Sequence, residues 1–596
     1  MVPSVYADRI NALRQAMADQ GVDACVVLSS DPHLSEYLPE HWQARAWLSG
    51  FQGSAGTLVV TASFAGLWTD SRYWEQAVGD LAGTGIETMR AGADDVPGIV
   101  PWLAAQLPPA ARVAVHGLTL NMQTHETWQA DLAAKGIELL TDIDLPGKVW
   151  PDRPALPASV MYEHLPPFAC RTRSENLVAV RQAMAREGVA WHWVSSLDDI
   201  AWMLNLRGSD VSYNPVFMAH ALVGLEHIVL FVDASRIEPT LQKRLAQDGV
   251  QLRPYAEAAQ GLAGVSADQK ILVDPVRTTV GITQHAVAGL VQAVNPSHML
   301  KACKTDAELA NVRGAMEQDG AALCEFFAWF ESALGKERIT ELTIDEKITQ
   351  ARARREHFVS PSFSTIAAYN ANGAMPHYHA TPQSHAAIEG NGLLLIDSGG
   401  QYLGGTTDIT RVVPVGQVSA EQKHDYTVVL KGMIALSQAV FPLGVPAPVL
   451  DAFARGPIWQ ALADFGHGTG HGVGYFLNVH EGPQSISYRT PIKAAMAMQP
   501  GMITSNEPGL YRPGKWGIRI ENLVANREAG TSEFGRFLQF ETLTLCPIDT
   551  RCVQPELLSD GERRWLNEYH RHVRERLEPL VHGLAKAWLI ERTQAL

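Results

Sequence analysis

Two stretches of this 596-residue chain match one another at a fixed offset. Leu13-Arg14-Gln15-Ala16-Met17-Ala18, followed by Gly21-Val22, returns 167 residues later as Val180-Arg181-Gln182-Ala183-Met184-Ala185, followed by Gly188-Val189, and Asp31 keeps the same offset with Asp198. Each copy reads as a helix stopped by glycine and then a short apolar strand, Ala24 to Leu28 in the first and Trp191 to Val194 in the second. A chain that uses this unit twice folds into two related α/β domains. Its length exceeds what one core accommodates, so more must follow them.

The first joint runs from Leu145-Pro146-Gly147-Lys148 through Pro151-Asp152-Arg153-Pro154-Ala155-Leu156-Pro157, a Pro-rich stretch that reads as unable to continue a helix or a central strand. The second lies near Lys301 to Lys304, where Thr305-Asp306-Ala307-Glu308 forms a capping box opening a long amphipathic helix through Phe327 or beyond. The expected division is 1–153, 154–303, 304–549 and a helical extension, 550–596. In that extension Ser559-Asp560-Gly561-Glu562 reads as a helix start, and Trp565, Leu566, Tyr569, Val573, Leu577 and Leu580 recur at helical intervals. This stripe either packs on its own domain or is buried against a second subunit.

Bulk properties exclude several classes. A formal charge of −15 and a pI near 5.8, with no Lys/Arg run, argue against a protein that grips nucleic-acid phosphates. The N-terminus carries no signal-peptide core, and apolar runs such as Ile228 to Val232 are too short to span a bilayer. A cytoplasmic protein with no membrane partner is expected. Cys25, Cys170, Cys303, Cys324, Cys546 and Cys552 are scattered without a Cys-x-x-Cys pair, as reduced, mostly buried thiols would be.

The chemistry concentrates in the last third. Asp397 and Asp408 lie on two β-rich runs, Leu393 to Asp397 and Asp408 to Val413, around a glycine-containing turn. Read as a hairpin turning near Tyr402 and Leu403, the segment sets the two aspartates face to face. Glu507 and Glu521 repeat the arrangement around a turn centred on Gly514. Alternation places Arg519 on the face of Glu521, where its guanidinium can hold a carboxylate. Opposed Cβ atoms in such pairs are roughly 5 Å apart, and paired catalytic metals lie about 3.5 to 4 Å apart, so one carboxylate can bridge two ions.

His471 comes from Gly466-His467-Gly468-Thr469-Gly470-His471-Gly472-Val473-Gly474. Glycine at every second position argues against a helix and for an extended or looped segment whose backbone closely approaches something. Four carboxylates and one imidazole make an oxygen-dominated pocket suited to two adjacent hard divalent cations rather than a structural zinc. Hydrolysis is the leading expectation. His480 follows on the same stretch, and His377 lies upstream in Met375-Pro376-His377-Tyr378.

Taken together, Ile396-Asp397-Ser398-Gly399, Thr406-Thr407-Asp408-Ile409-Thr410-Arg411, the His467 to His480 segment, Asn506-Glu507-Pro508-Gly509 and Arg519-Ile520-Glu521-Asn522 resemble the Xaa-Pro aminopeptidase (aminopeptidase P) family of pita-bread metallopeptidases. Leu48 to Thr57, Leu67 to Tyr73 and Asn205 to Asp210 extend the likeness to the long, three-domain members. The resemblance implies an α/β (α+β) chain whose two related N-terminal α/β domains precede a pita-bread catalytic domain. It further implies a dinuclear centre on Asp397, Asp408, His471, Glu507 and Glu521, usually manganese, with cobalt or zinc as alternatives. His480 and His377 would bind substrate and the tetrahedral species, His467 and Arg519 would line the cleft, and Arg72 would either approach substrate or form a structural salt bridge. Glu507 is the expected proton shuttle. The implied substrates are short peptides with proline second, and the implied assembly is a homodimer. A prolidase cleaving Xaa-Pro dipeptides, a methionine aminopeptidase and a non-catalytic peptide-binding relative are the competing readings.

Overall fold

The computed structural model describes residues 4–596. Two compact units result, one from the residues up to Leu165 with Arg171–Leu300, the other from Pro166–Cys170 with Lys301–Leu596.

Within the first unit the repeat is complete at the level of topology. Strands β1 (Ala24–Leu28), β2 (Thr57–Thr61), β3 (Ala65–Thr69), β4 (Glu87–Arg90), β5 (Arg112–Val115) and β6 (Glu138–Leu140) form one sheet in the order β4-β3-β2-β1-β5-β6. Strands β7 (Trp191–Val194), β8 (His220–Gly224), β9 (Ile228–Phe231), β10 (Val250–Arg253), β11 (Lys270–Val273) and β12 (Gly289–Gln292) form the other, in the order β10-β9-β8-β7-β11-β12. In each, the central strand pairs antiparallel with the next strand and parallel with the fifth. The reason is legible in β1: Cys25 and Val27 enter the core on one face of the sheet, Ala24 and Val26 that on the other. A strand covered on both sides must be apolar throughout. Helices Val5–Asp19 and Arg173–Arg186 are the repeated blocks that precede the central strands.

The first joint differs from expectation at its start. Leu145–Val149 is a short helix capped by Asp144, whose side chain accepts from the Gly147 N–H. Pro146 sits in the first turn, where its missing N–H has no intrahelical partner to lose.

In the second unit the Thr305–Glu308 capping box opens a helix, Asp306–Ala333, that is buried along most of its length. Strands β13 (Gly392–Ser398) and β14 (Ile409–Val415) pair antiparallel beside Ile366–Tyr369. A six-stranded sheet contains β15 (Gly470–Gly472), β16 (Ile503–Asn506) and β17 (Asn522–Ser532). The Ser559–Glu562 box opens helix Asp560–Leu577, and Leu566, Tyr569, Val573 and Leu577 are buried in the unit's own core. Of the two readings of that stripe the structure shows packing on its own unit, with Trp565 and Leu580 partly buried against the same core. Leu580 lies beyond the helix, in the turn Glu578–Leu580.

All six cysteines are free thiols, four of them buried. No helix among the described residues is long and apolar enough to cross a membrane.

Candidate metal centre

The two acid pairs are built differently. Asp397 on β13 lies opposite Thr410 on β14, and the ladder continues as Gln401 opposite Thr406 and Tyr402 opposite Gly405. The turn is therefore at Leu403-Gly404, one step later than expected, and each partner moves by two residues. Asp397 and Asp408 sit diagonally on one face instead of directly opposed. A two-residue change of partner preserves the face, because side chains alternate with period two. Glu507 and Glu521 keep the expected geometry. Asn506 pairs with Asn522 on one side of them and Gly509 with Arg519 on the other, in one continuous register around Gly514.

His471 enters from β15, held between neighbours too close for side chains on its flanks. A Cβ on Gly470 would lie 2.0 Å from the Ser505 carbonyl oxygen, and one on Gly472 would lie 2.1 Å from that of Glu481. The imidazole Nδ1 donates to the Gly472 carbonyl (2.9 Å), which turns Nε2 toward Asp408 Oδ2 (3.6 Å) and Glu507 Oε1 (3.4 Å). A ring oriented by a backbone acceptor at one nitrogen is prepared to ligate through the other.

Ligand atoms of Asp408, His471 and Glu521 all lie within 4.8 Å of one another. Asp397 approaches from beside Arg519, whose Nη2 donates to its Oδ2 (2.6 Å), and Arg519 Nε lies 4.0 Å from Glu507 Oε2. Asp397, Asp408 and Glu521 are buried. Burial, followed by the charges of Asp397 and Glu507, pushes the Asp408 carboxyl well above the usual carboxylate range. Burial and the charge of Asp408 do the same to Glu521. Asp397 Oδ1 and Glu521 Oε1 are buried without a hydrogen-bond partner. Buried carboxylate oxygens facing one another, one guanidinium among them and a pre-aimed imidazole are a donor set that hard divalent cations complete.

The other histidines differ in their surroundings. His480 stacks edge-on to His471 with ring centroids 4.3 Å apart. His467 Nδ1 donates to the Gly468 carbonyl and Nε2 shares a 2.7 Å hydrogen bond with the Tyr511 hydroxyl. His377 is half-buried beside Pro376, whose carbonyl accepts from Arg519 Nη2 at 3.3 Å. Arg72 belongs to the first unit, where it forms a bidentate pair with Asp70 (2.7 and 2.8 Å).

Several supporting residues escaped the sequence reading. Tyr511 accepts from Arg519 Nη1 (2.6 Å) and so links His467 to the Arg519–Asp397 pair. Thr410 donates to Glu521 Oε2 (2.8 Å), and Ser505 donates to Glu507 Oε1 (3.1 Å) while accepting from the His471 N–H (3.0 Å). Glu481, next to His480, is held by Lys301 (3.0 Å) and Lys304 (2.8 Å), all three buried. Ser505, Thr410 and Glu481 each lie within two residues of a candidate site residue, but their partners come from distant segments, as do those of Tyr511.

Fold and centre together define a metallopeptidase. The model of metallopeptidase family M24 matches residues 310–528, that of the C-terminal region of peptidase M24 matches 536–596, and models of the creatinase/prolidase N-terminal domain match 9–145 and 152–308. Aminopeptidase P2 of Arabidopsis thaliana is 39% identical over 99% of this chain and 89% of its own length. A probable Xaa-Pro aminopeptidase P of Aspergillus flavus is 36% identical over 99% and 93%. The crystal structure of X-prolyl aminopeptidase from Caenorhabditis elegans, described as a cytosolic enzyme with a di-nuclear active site, aligns with a TM-score of 0.93 and 30% identity over 99% of this chain and all of that one. The chain belongs to the aminopeptidase P branch of metallopeptidase family M24.

Proposed function

We propose that this protein is a metal-dependent aminopeptidase that removes the first residue from peptides with proline second. The observation that carries the reading is the meeting of Asp408, His471 and Glu521 within 4.8 Å in a chain of this family. Asp397, Asp408, His471, Glu507 and Glu521 would hold two divalent ions, manganese first, with cobalt or zinc as substitutes. When bound, such a pair supplies Lewis acidity and lowers the pKa of water toward neutrality.

The chain's own groups do the rest. Glu507, its carboxyl pushed up to about 7 by burial, is poised to take a proton from the attacking water and return it to the prolyl nitrogen as the amide breaks. His480, beside His471, and His377 donate to the oxyanion and the peptide carbonyl. Arg519 fixes Asp397 and, through Tyr511, the His467 side of the cleft. Proline at the second position makes the scissile bond a tertiary amide, with no N–H to satisfy in the site. Arg72 enters this reading only by resemblance. We extend it to a cytoplasmic homodimer, consistent with the worm enzyme's description as cytosolic, and to domain limits at residues 153, 303 and 549.

Incubation of the manganese-loaded protein with matched Xaa-Pro-Xaa and Xaa-Pro peptides tests this. Release of the first residue from the tripeptide, with little or no cleavage of the dipeptide, is expected. Preference for the dipeptide would make it a prolidase, and no cleavage of either would make it a binding relative. His480→Ala is expected to stay folded and metal-loaded while kcat falls by roughly 10²- to 10⁴-fold, the range lost with a positioned acid–base group. Unchanged turnover would remove His480 from the site.

A further inference from the structure

His377 lies in a segment that no regular element holds. Among the described residues no helix or strand runs between Ala374 and Gly392, so the backbone carrying this histidine takes its shape from turns and side chains. A group that binds substrate from such a segment needs a fixed point, because a misplacement of about 1 Å can cost 10²-fold in rate.

Glu341 supplies one. It opens the helix Glu341–Ala353, directly after the N-cap Thr340, and is 1% exposed. Its Oε1 accepts from the Tyr369 N–H (2.7 Å) and from Asn372 Nδ2 (2.9 Å), and its Oε2 from the Ala386 N–H (2.6 Å) and the Tyr378 hydroxyl (2.9 Å). All four donors are uncharged, and the positive end of the helix dipole favours a carboxylate at this position. They flank His377 on both sides: Tyr369 and Asn372 precede it, Tyr378 follows it immediately and Ala386 lies further on. On the other side of the histidine the Pro376 carbonyl accepts from Arg519 Nη2 (3.3 Å). One neighbour of His377 is thus tied to the metal-site arginine and the other to Glu341.

We infer that Glu341 is a positioning residue for His377: its carboxylate gathers the Tyr378 hydroxyl and the surrounding backbone and thereby sets the imidazole against the peptide. The inference rests on the proposed role of His377 in binding substrate. A carboxylate is needed because each oxygen faces a backbone N–H. Glutamine, whichever way its amide lies, would turn an NH₂ donor on the N–H of Tyr369 or of Ala386.

A double-mutant cycle tests this, with kcat, KM and bound metal measured for the full-length, manganese-loaded protein on a peptide with proline second. Glu341→Gln is expected to lower kcat/KM at least about tenfold while the metal content stays that of the parent. In protein that already carries His377→Ala, the same substitution is expected to change kcat/KM less than about twofold, because the group it positions is gone. A general weakening of the domain would lower kcat/KM equally in both backgrounds. Tyr378→Phe, which deletes one hydroxyl, is expected to lower kcat/KM about three- to tenfold, again only where His377 is present, and decides the question if Glu341→Gln does not fold. Equal losses with and without His377, loss of metal, or parental kinetics in the folded variants would overturn the inference and leave the aminopeptidase reading standing. A parent inactive on that peptide, or unchanged turnover in His377→Ala, would overturn it together with the reading it rests on.

Discussion

Asp408→Ala is expected to bring the protein from two bound divalent ions per chain to at most one and to reduce kcat/KM by well over a hundredfold. Loss of a partner that merely orients a ligand costs roughly 10- to 100-fold, and Asp408 would be a ligand itself. In the proposed centre its carboxylate, with a ligand atom within 4.8 Å of those of His471 and Glu521, would be positioned to hold both ions. Thr410→Val provides the graded comparison. The Thr410 hydroxyl, which valine removes, touches the site through Glu521 Oε2 and Arg519 Nε, so its loss should fall within the 10- to 100-fold range. The metal-free Asp408→Ala protein should be at least as stable as the metal-free parent. Burial and the charges of Asp397 and Glu507 oppose ionisation of Asp408, and alanine removes that opposition. Elemental analysis of the purified variant checks the first claim, and thermal melting in chelator checks the last. Two ions retained by Asp408→Ala would refute its bridging role.

Arg411→Met is expected to cost about 2 to 6 kcal/mol of stability. The guanidinium is buried and donates to the carbonyls of Thr410, Glu521, Cys546 and Pro547, to Asn522 Oδ1 and to the Tyr569 hydroxyl. It therefore ties β14, the Glu521 strand and the C-terminal helix into one piece behind the acids. The Thr410 carbonyl keeps the Glu521 N–H and that of Cys546 keeps the Tyr569 hydroxyl, so two buried carbonyls, those of Glu521 and Pro547, lose the donor at roughly 1–3 kcal/mol each before relaxation. Arg411→Lys should recover part of the loss, because an ammonium offers three donors without the planar fork. Urea unfolding measures both variants. A methionine variant within about 1 kcal/mol of the parent would show that the neighbours rearrange around the gap.

Much of this architecture was legible because its signals are local. The repeated helix–glycine–strand block announced two sheets, which share a strand order, and the Thr305–Glu308 and Ser559–Glu562 boxes marked real helix starts. The glycines around His471 signalled a close backbone approach, and Ser505 and Glu481 are what approaches. The turn between Asp397 and Asp408 lies one residue later than the sequence suggests, because Tyr402-Leu403-Gly404 permits either fold-back and the pairing of Gln401 with Thr406 selects one. Both registers keep the aspartates on one face, because side chains alternate with period two.

What stayed hidden depends on long-range pairing. The stripe from Trp565 to Leu577 has the spacing of a buried face, but spacing does not say whose surface buries it; here the unit's own core does. Tyr511 is one of fourteen tyrosines until Arg519 and His467 meet it. Thr410 supports Glu521 across 111 residues of sequence, a distance at which no local pattern operates.

Crystals grown with manganese and measured at a wavelength where manganese scatters anomalously test the central claim most directly. The anomalous map should contain two peaks about 3.5 to 4 Å apart, both within ligand distance of the side chains of Asp397, Asp408, His471, Glu507 and Glu521. A map with one peak or none at those residues, from protein active on a peptide with proline second, would contradict a two-ion centre.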